Sequence, residues 1–377
     1  FRLILIGRRM DRFDRPLARL FGSLPNTLGQ KKVLKSVSLR TDLSGIAHFL
    51  IFWGFLSYLA SYILFIYADS IWDMFSLWLL GELGLKVFVF YLDLLAVTLL
   101  LVLFWGAIRR WLLKPSRLVF DLTQKSEAAI ILILIGMLMV LTSATEVFYI
   151  IGGGGGPHSD APIARVIADT IGHYGIANEV SLTLQAIFWW SHFGLILAFS
   201  LYIPLSKHMH IIASPLSFYF RPFETSGTLD TPEDLMAMES FGAATVKDFT
   251  WKELLDGYSC AVCGRCTDVC PANISGKVLS PMHIVQNMKG YLIENGPPIL
   301  SDVGSQSDIP SITEKFIQEE ALWDCLTCGA CVEVCPVGVE HINSIVDMRR
   351  NLVMEKARMP DAAMSALTNL EQRGHPW

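Results

Sequence analysis

Four apolar stretches constrain this chain more than any other feature: roughly Ile46–Ala68, Leu85–Ile108, Ala128–Ile151 and Val180–Leu205. A helix needs about 20 residues, at about 1.5 Å each, to cross the hydrocarbon of a bilayer, and each stretch is long enough. The expected architecture is therefore a transmembrane helical bundle. Of the 377 residues, 52% are hydrophobic and only 17% charged, a balance that excludes an ordinary soluble chain and a disordered one. A formal charge of −5 gives no support to binding of a polyanion, so no nucleic-acid partner is expected. The short apolar start, Phe1 to Ile6, runs straight into Gly7, Arg8 and Arg9 and makes a poor signal peptide. It reads as the tail of an earlier span, so a fifth helix is expected before Phe1.

Basic residues orient the bundle. Arg2, Arg8, Arg9, Arg12, Arg15, Arg19, Lys31, Lys32, Lys35 and Arg40 precede the first span. Arg109, Arg110, Lys114, Arg117 and Lys125 lie between spans two and three. The loops on the opposite side hold Lys86 at a helix start and Arg165 among Asp160, Asp169 and Glu179. The positive-inside rule puts the basic segments in the cytoplasm, and an even number of spans returns the C-terminal half to the same side. Gly152 to Gly156, followed by Pro157 and His158, lacks the Lys and Ser or Thr of a phosphate loop and reads as a flexible connector.

All eight cysteines fall between residues 260 and 335, on the reducing side, where thiols stay available as ligands. They form one pattern twice: Cys260-Ala-Val-Cys263-Gly-Arg-Cys266-Thr-Asp-Val-Cys270-Pro271 and Cys325-Leu-Thr-Cys328-Gly-Ala-Cys331-Val-Glu-Val-Cys335-Pro336. Both read C-x-x-C-x-x-C-x-x-x-C-P, the run of bacterial-type [4Fe–4S] ferredoxins, in which the fourth cysteine reaches across to the other cluster. The expected ligand sets are Cys260, Cys263, Cys266 and Cys335 for one cluster, and Cys325, Cys328, Cys331 and Cys270 for the other. Zinc also takes four thiolates, but from two separated C-x-x-C pairs rather than four ligands in a single run closed by proline. About fifty residues separate the motifs, with Pro281, Gly296-Pro297-Pro298 and a helical Ile312–Leu322 among them. That spacing predicts a helical dicluster domain, with its clusters close enough for fast electron tunnelling.

Histidines on the apolar helices are candidate haem ligands, because ionisable groups at membrane depth are costly and imidazole suits haem iron. His48 lies early in the first span, His192 midway through the last, and His208 and His210 at its cytoplasmic end. His48 with His210 or His208 is expected to clamp one haem b near the cytoplasm, with His192 on a second, deeper one. His48 pairing with His192 is the alternative. The second haem lacks an obvious partner: Tyr58 lies at about the right depth, and His158 and His173 are in the outer loop. Asp93 and Glu146 are the membrane acids, read either as interhelical hydrogen bonders or as proton carriers at a quinone pocket.

The last span, from His192 to Lys207-His-Met-His210, resembles the final helix of the nitrate reductase gamma type of cytochrome b. His48-Phe-Leu-Ile-Phe-Trp-Gly-Phe55 matches that family's cytoplasm-proximal ligand, whereas Tyr58 stands where its second histidine would lie. A cytochrome-b-like bundle followed by a dicluster ferredoxin is similar to the membrane-bound iron–sulfur proteins related to heterodisulfide reductase. The electron-transfer-flavoprotein:menaquinone oxidoreductase type is matched further by Arg12-Phe-Asp-Arg-Pro16 and by Asn369-Leu-Glu-Gln-Arg-Gly-His-Pro-Trp377. In that family another helix precedes the region matching Phe1, and a cysteine-rich domain follows the one matching Trp377. The expected division is 1–43 basic segment, 44–212 bundle, 213–250 linker, 251–350 dicluster ferredoxin domain and 351–377 C-terminal segment. The resemblance implies an all-α, multi-pass oxidoreductase of a bacterial or archaeal cytoplasmic membrane, with its iron–sulfur domain on the cytoplasmic side. It would pass electrons from a cytoplasmic donor, reduced electron-transfer flavoprotein, through two [4Fe–4S] clusters and haem b to menaquinone. Two alternatives stand beside it: a quinol-linked heterodisulfide or sulfur-compound reductase subunit, and a non-catalytic anchor that wires a partner enzyme.

Overall fold

The structure is a computed structural model that describes residues 2–38, 42–115, 117, 122–155, 160–224, 228–229, 240–301 and 309–377. Arg40 of the basic segment, and Gly156, Pro157 and His158 of the connector, lie outside the described residues. Helices follow in the order α1 (Pro16–Thr27), α2 (Ser44–Ser61), α3 (Phe75–Ala107), α4 (Leu122–Ile151), α5 (Pro162–Gly172), α6 (Asn178–Tyr202) and α7 (His210–Tyr219). Next come α8 (Trp251–Ser259), α9 (Arg265–Asp268), α10 (Pro281–Leu300), α11 (Ala330–Val334), α12 (His341–Met354) and α13 (Asp361–Arg373), with shorter turns between them. The fold is all-α: four long apolar helices, then the cysteine-bearing region.

Two compact units divide the chain. One is residues Val33–Ser206; the other joins Phe1–Lys32 to Lys207–Trp377.

The first unit holds the four helices long and apolar enough to cross a membrane, spanning Ser44–Ile71, Phe75–Leu113, Lys125–Ile151 and Asn178–Leu205. Their outward faces are apolar because lipid, not water, is the solvent they suit. Packing runs α2 on α3, α3 on α4, and most extensively α4 on α6. A core of Tyr58, Leu95, Ala96, Leu99, Ile131, Leu138, Met139 and Phe199 fills the centre. α2 continues as a π-helical segment, Tyr62–Ala68, and α3 as another, Ile108–Leu113; the extra residue per turn re-aims the side chains that follow. At the basic end Arg109 and Arg117 both reach Asp42, tying the segment before α2 to the one after α3.

α5 lies within the loop between α4 and α6, too short to span. Its small residues Ala164 and Ala168, with Ala161 just before it, pack closely against Val89 and Val147. The helix begins at Pro162 with no side-chain cap of its own. Asp93 of α3 supplies one instead, accepting hydrogen bonds from Ile163 N at 2.6 Å and Ala164 N at 3.3 Å.

In the second unit α8, α10 and α12 enclose a core that includes Ile4, Val246, Phe249, Leu279, Tyr291, Leu322, Ile345 and Met348. Leu3 and Ile6 pack against it, and Arg8 N donates to Phe249 O at 2.7 Å. The short apolar start of the chain, read above as the tail of a span, thus belongs to the core of the cysteine-bearing unit. The reason is local: Ile4–Ile6 forms a single tight turn that buries Ile4 beside α8, with Leu5 left outside, rather than extending along a helix.

Candidate metal centre

The two cysteine motifs adopt the same backbone. Cys260 leaves α8 in an extended conformation, Val262 turns left-handed at φ 53°, Gly264 follows at φ 74°, and α9 starts. In the second motif Thr327 has φ 52° and Gly329 φ 78°, and α11 starts. Glycine takes such angles without steric cost, but a β-branched residue does not, so the same strain held twice marks a constrained loop. Amides reach the sulfurs: Thr327 N donates to Cys325 Sγ and Val339 N to Cys335 Sγ, both at 3.4 Å. Such hydrogen bonds stabilise thiolate and, in iron–sulfur proteins, raise the potential of the cluster it ligates. Each run ends with its fourth cysteine extended, ψ 117° in both, before a proline that cannot continue the ladder.

The loops bring the cysteines into two groups. Cys270, Cys325, Cys328 and Cys331 line one pocket together with Leu279, Ile342 and Ile345. Burial and the nearby Cys325, Cys328 and Cys270 push the Cys331 thiol up to about 12. Cys266 belongs to the other group: burial and then Cys260, Cys263 and Cys335 raise its pKa. Burial and then Cys263 push Cys335 up to about 12. Four thiolates crowded in an apolar pocket repel one another, and a cationic metal core removes that repulsion. Two groups of four cysteine sulfurs, drawn from the two C-x-x-C-x-x-C runs and their fourth cysteines, fit two [4Fe–4S] clusters. The groups are adjacent, because α9 packs on α11, and they differ in access: Cys328 is exposed, whereas Cys260, Cys266 and Cys335 are buried.

Behind Cys335 lies a charged cluster that the sequence did not disclose. Lys252, 1% exposed, donates to Asp256 Oδ1 at 2.6 Å and pairs with Glu340 Oε1 at 3.1 Å. Burial opposes its charge, but the two carboxylates outweigh that and raise its pKa. Asp256 Oδ2 accepts from Glu340 N at 2.9 Å, Ser217 Oγ donates to Gly338 O at 3.0 Å, and Arg12 reaches Glu340 Oε2 at 3.4 Å. The cluster thereby pins residues 338–340, whose Val339 amide points at Cys335. Each charge has a partner, as a buried charge requires.

His208 and His210 lie in the same unit, with ring centroids 5.5 Å apart. α7 packs on α8, Ser259 Oγ donates to Ala213 O at 3.0 Å, and Lys289 is a charged neighbour of both His210 and Cys260. The helix of His210 thus packs on the helix that leads into Cys260. His210 Nδ1 is 2.8 Å from Lys207 O, the orienting contact that suits a histidine ligating through Nε2. Burial lowers its pKa, favouring the neutral imidazole that a metal needs. On these grounds His210 fits an axial haem ligand. His192, 8% exposed, does not fit as it stands, because both its nitrogens have partners: Tyr62 Oη at 2.5 Å and Thr142 Oγ1 at 3.2 Å. His48 lies in α2 with an exposed side chain. Tyr58 donates to Leu92 O at 2.8 Å. Glu146 Oε1 is buried with no hydrogen-bond partner.

Four membrane-crossing helices with two adjacent four-cysteine groups define a multi-pass, membrane-anchored iron–sulfur protein. The comparisons agree: residues 252–336 match the 4Fe-4S dicluster domain family. Over 99% of its length the chain is homologous to two oxidoreductases. It is 32% identical to the "Probable iron-sulfur-binding oxidoreductase FadF" of Bacillus subtilis, covering 55% of that protein. It is 30% identical to the "EtfAB:quinone oxidoreductase" of Syntrophomonas wolfei, covering 54%. A "Probable membrane-anchored ferredoxin" of Chromohalobacter salexigens is 32% identical over 52% of this chain and 32% of its own length. The chain spans about half the length of the two oxidoreductases. No solved structure matches it.

Proposed function

We propose that this protein carries electrons from a cytoplasmic flavoprotein, reduced electron-transfer flavoprotein, through two [4Fe–4S] clusters and a haem b to menaquinone in the membrane. The observation that carries this reading is the graded burial of two adjacent cysteine groups, one opening to solvent at Cys328 and the other, with no exposed cysteine, backed by the helix of His210. Cys325, Cys328, Cys331 and Cys270 would hold the cluster nearest a soluble donor. Leu326, 66% exposed beside Cys328, offers that donor an apolar contact. Cys260, Cys263, Cys266 and Cys335 would hold the inner one. His210 and its neighbour His208 are the favoured haem ligands, with His48 as a further candidate; His192 would serve only if it gave up its contact to Tyr62 or Thr142. Bound clusters and haem supply one-electron carriers.

The chain's own contribution is to hold and insulate them. The left-handed loops aim amides at sulfur, the apolar walls exclude water, and the Lys252 cluster fixes the Val339 amide that donates to Cys335. Homology to an EtfAB:quinone oxidoreductase supports both the flavoprotein and the quinone as partners.

The test is a dithionite-reduced-minus-oxidised optical spectrum of the purified chain, with iron and haem measured per chain. The proposal expects about eight non-haem irons together with a haem b band. Zinc in place of iron would overturn it. Iron without haem would return the histidines to packing roles and take haem out of the route.

A further inference from the structure

α1 is an inside-out helix. Its polar and small residues Arg19, Gly22 and Ser23, spaced i, i+3, i+4, turn into the cysteine-bearing unit against α7. Arg19 is 3% exposed; it donates to Asp14 O at 2.8 Å and Arg221 O at 2.7 Å, and its guanidinium lies 4.5 Å from the centre of the Phe223 ring. On the other face Leu17, Leu20 and Phe21 are left outside, 68%, 45% and 65% exposed, and Leu28 extends the stripe past the helix end. A helix facing water hides its apolar stripe, and this one displays it.

We infer that α1 is an interfacial anchor, its apolar face seated among the lipid headgroups and its basic flanks drawn to anionic lipid. Two observations select a bilayer as the occupant. The first 35 residues carry nine basic and two acidic side chains, and Arg9, Arg15 and Lys31 are exposed around the stripe, the pattern of a helix lying on an anionic surface. The same charge repels a second copy docking through this face. The chain also enters its first membrane-crossing helix at Ser44, 17 positions after α1 ends at Thr27, so the chain itself leads from α1 into lipid. The role this gives α1 is to fix how the iron–sulfur unit meets the membrane surface, through a contact independent of the four spans.

The test uses the full chain in nanodiscs containing phosphatidylglycerol, with the photocrosslinker p-benzoylphenylalanine replacing Leu17 or Phe21. The control places it at Ile274, an exposed apolar position of the same unit. Iron content, equal in all three proteins, reports an intact cysteine unit. Lipid adducts at positions 17 and 21 are expected several-fold above those at 274, falling when phosphatidylcholine replaces the anionic lipid. Lipid yields at 17 and 21 no higher than at 274, or adducts mainly to a second copy of the chain, would overturn the inference.

Discussion

At the scale of single residues, chemistry and support were unequally legible. The thiols announced themselves, because four ligands in one short run have few other uses. Lys252 and Glu340 did not: a lysine one turn before Asp256 reads as a solvated helix face, and only tertiary packing makes it a buried counter-charge. Removing Cys270 is expected to abolish the electron paramagnetic resonance signal of the cluster held by Cys325, Cys328 and Cys331. Selective loss of the other signal would contradict the crossed ligand sets. Two further buried groups set opposing pH responses. Burial pushes His341 down to about 4 from 6.5, so its neutral form contributes stability that is present above pH 6.5 and lost as pH falls toward 4. Burial and the charge of Asp347 push Glu253 up to about 7 from 4.5, so its contribution is present below pH 4.5 and lost as pH rises toward 7. Each is worth up to about 3 kcal/mol, and between pH 4.5 and 6.5 the slopes oppose. Glu253→Gln should unmask a thermal midpoint that falls with acidification across that window, and His341→Gln one that falls as pH rises. Unchanged profiles would refute both assignments.

Among the elements, the long helices followed from length and composition alone, and the observed spans overlap the expected ones throughout. Their continuation as π-helical segments was not legible, since one extra residue per turn leaves no mark on an apolar run. Nor was α5, whose eleven residues are too few to span and whose cap comes from another helix. Asp93, read as either a proton carrier or an interhelical hydrogen bonder, is here occupied as that cap. Asp93→Ala should cost α5 about 1–2 kcal/mol of local stability, read as roughly tenfold faster amide exchange at Ile163 and Ala164. Exchange at the wild-type rate would show that α5 is held by its alanine packing alone. Gly242 is a second element-level constraint: it has φ 70°, and an added methyl would overlap the Asp347 carbonyl and the Asn351 amide of α12. Gly242→Ala should therefore loosen the segment before α8 from α12 and lower the iron retained on purification. Full iron retention would refute that.

For the whole molecule, the sequence divided the chain in linear order, whereas the structure gathers its beginning and its cysteine-bearing half into one unit. Arg8, Arg12 and Arg19 were read as topology signals. They also bond to Phe249, Glu340 and Arg221, partners more than 200 positions away that no local pattern can pair. That gathering brings the first 32 residues, the inner cysteine group and the helix of His210 into one body, and the conduit reading depends on it. The most direct test starts from dithionite-reduced protein in liposomes, with excess reductant removed, and follows the reduced-cluster signals by electron paramagnetic resonance after menaquinone is added to the lipid. The account predicts that both cluster signals disappear as the quinone is reduced, and that in Cys270→Ala the remaining inner cluster still discharges. Clusters that stay reduced in the presence of membrane quinone would contradict it.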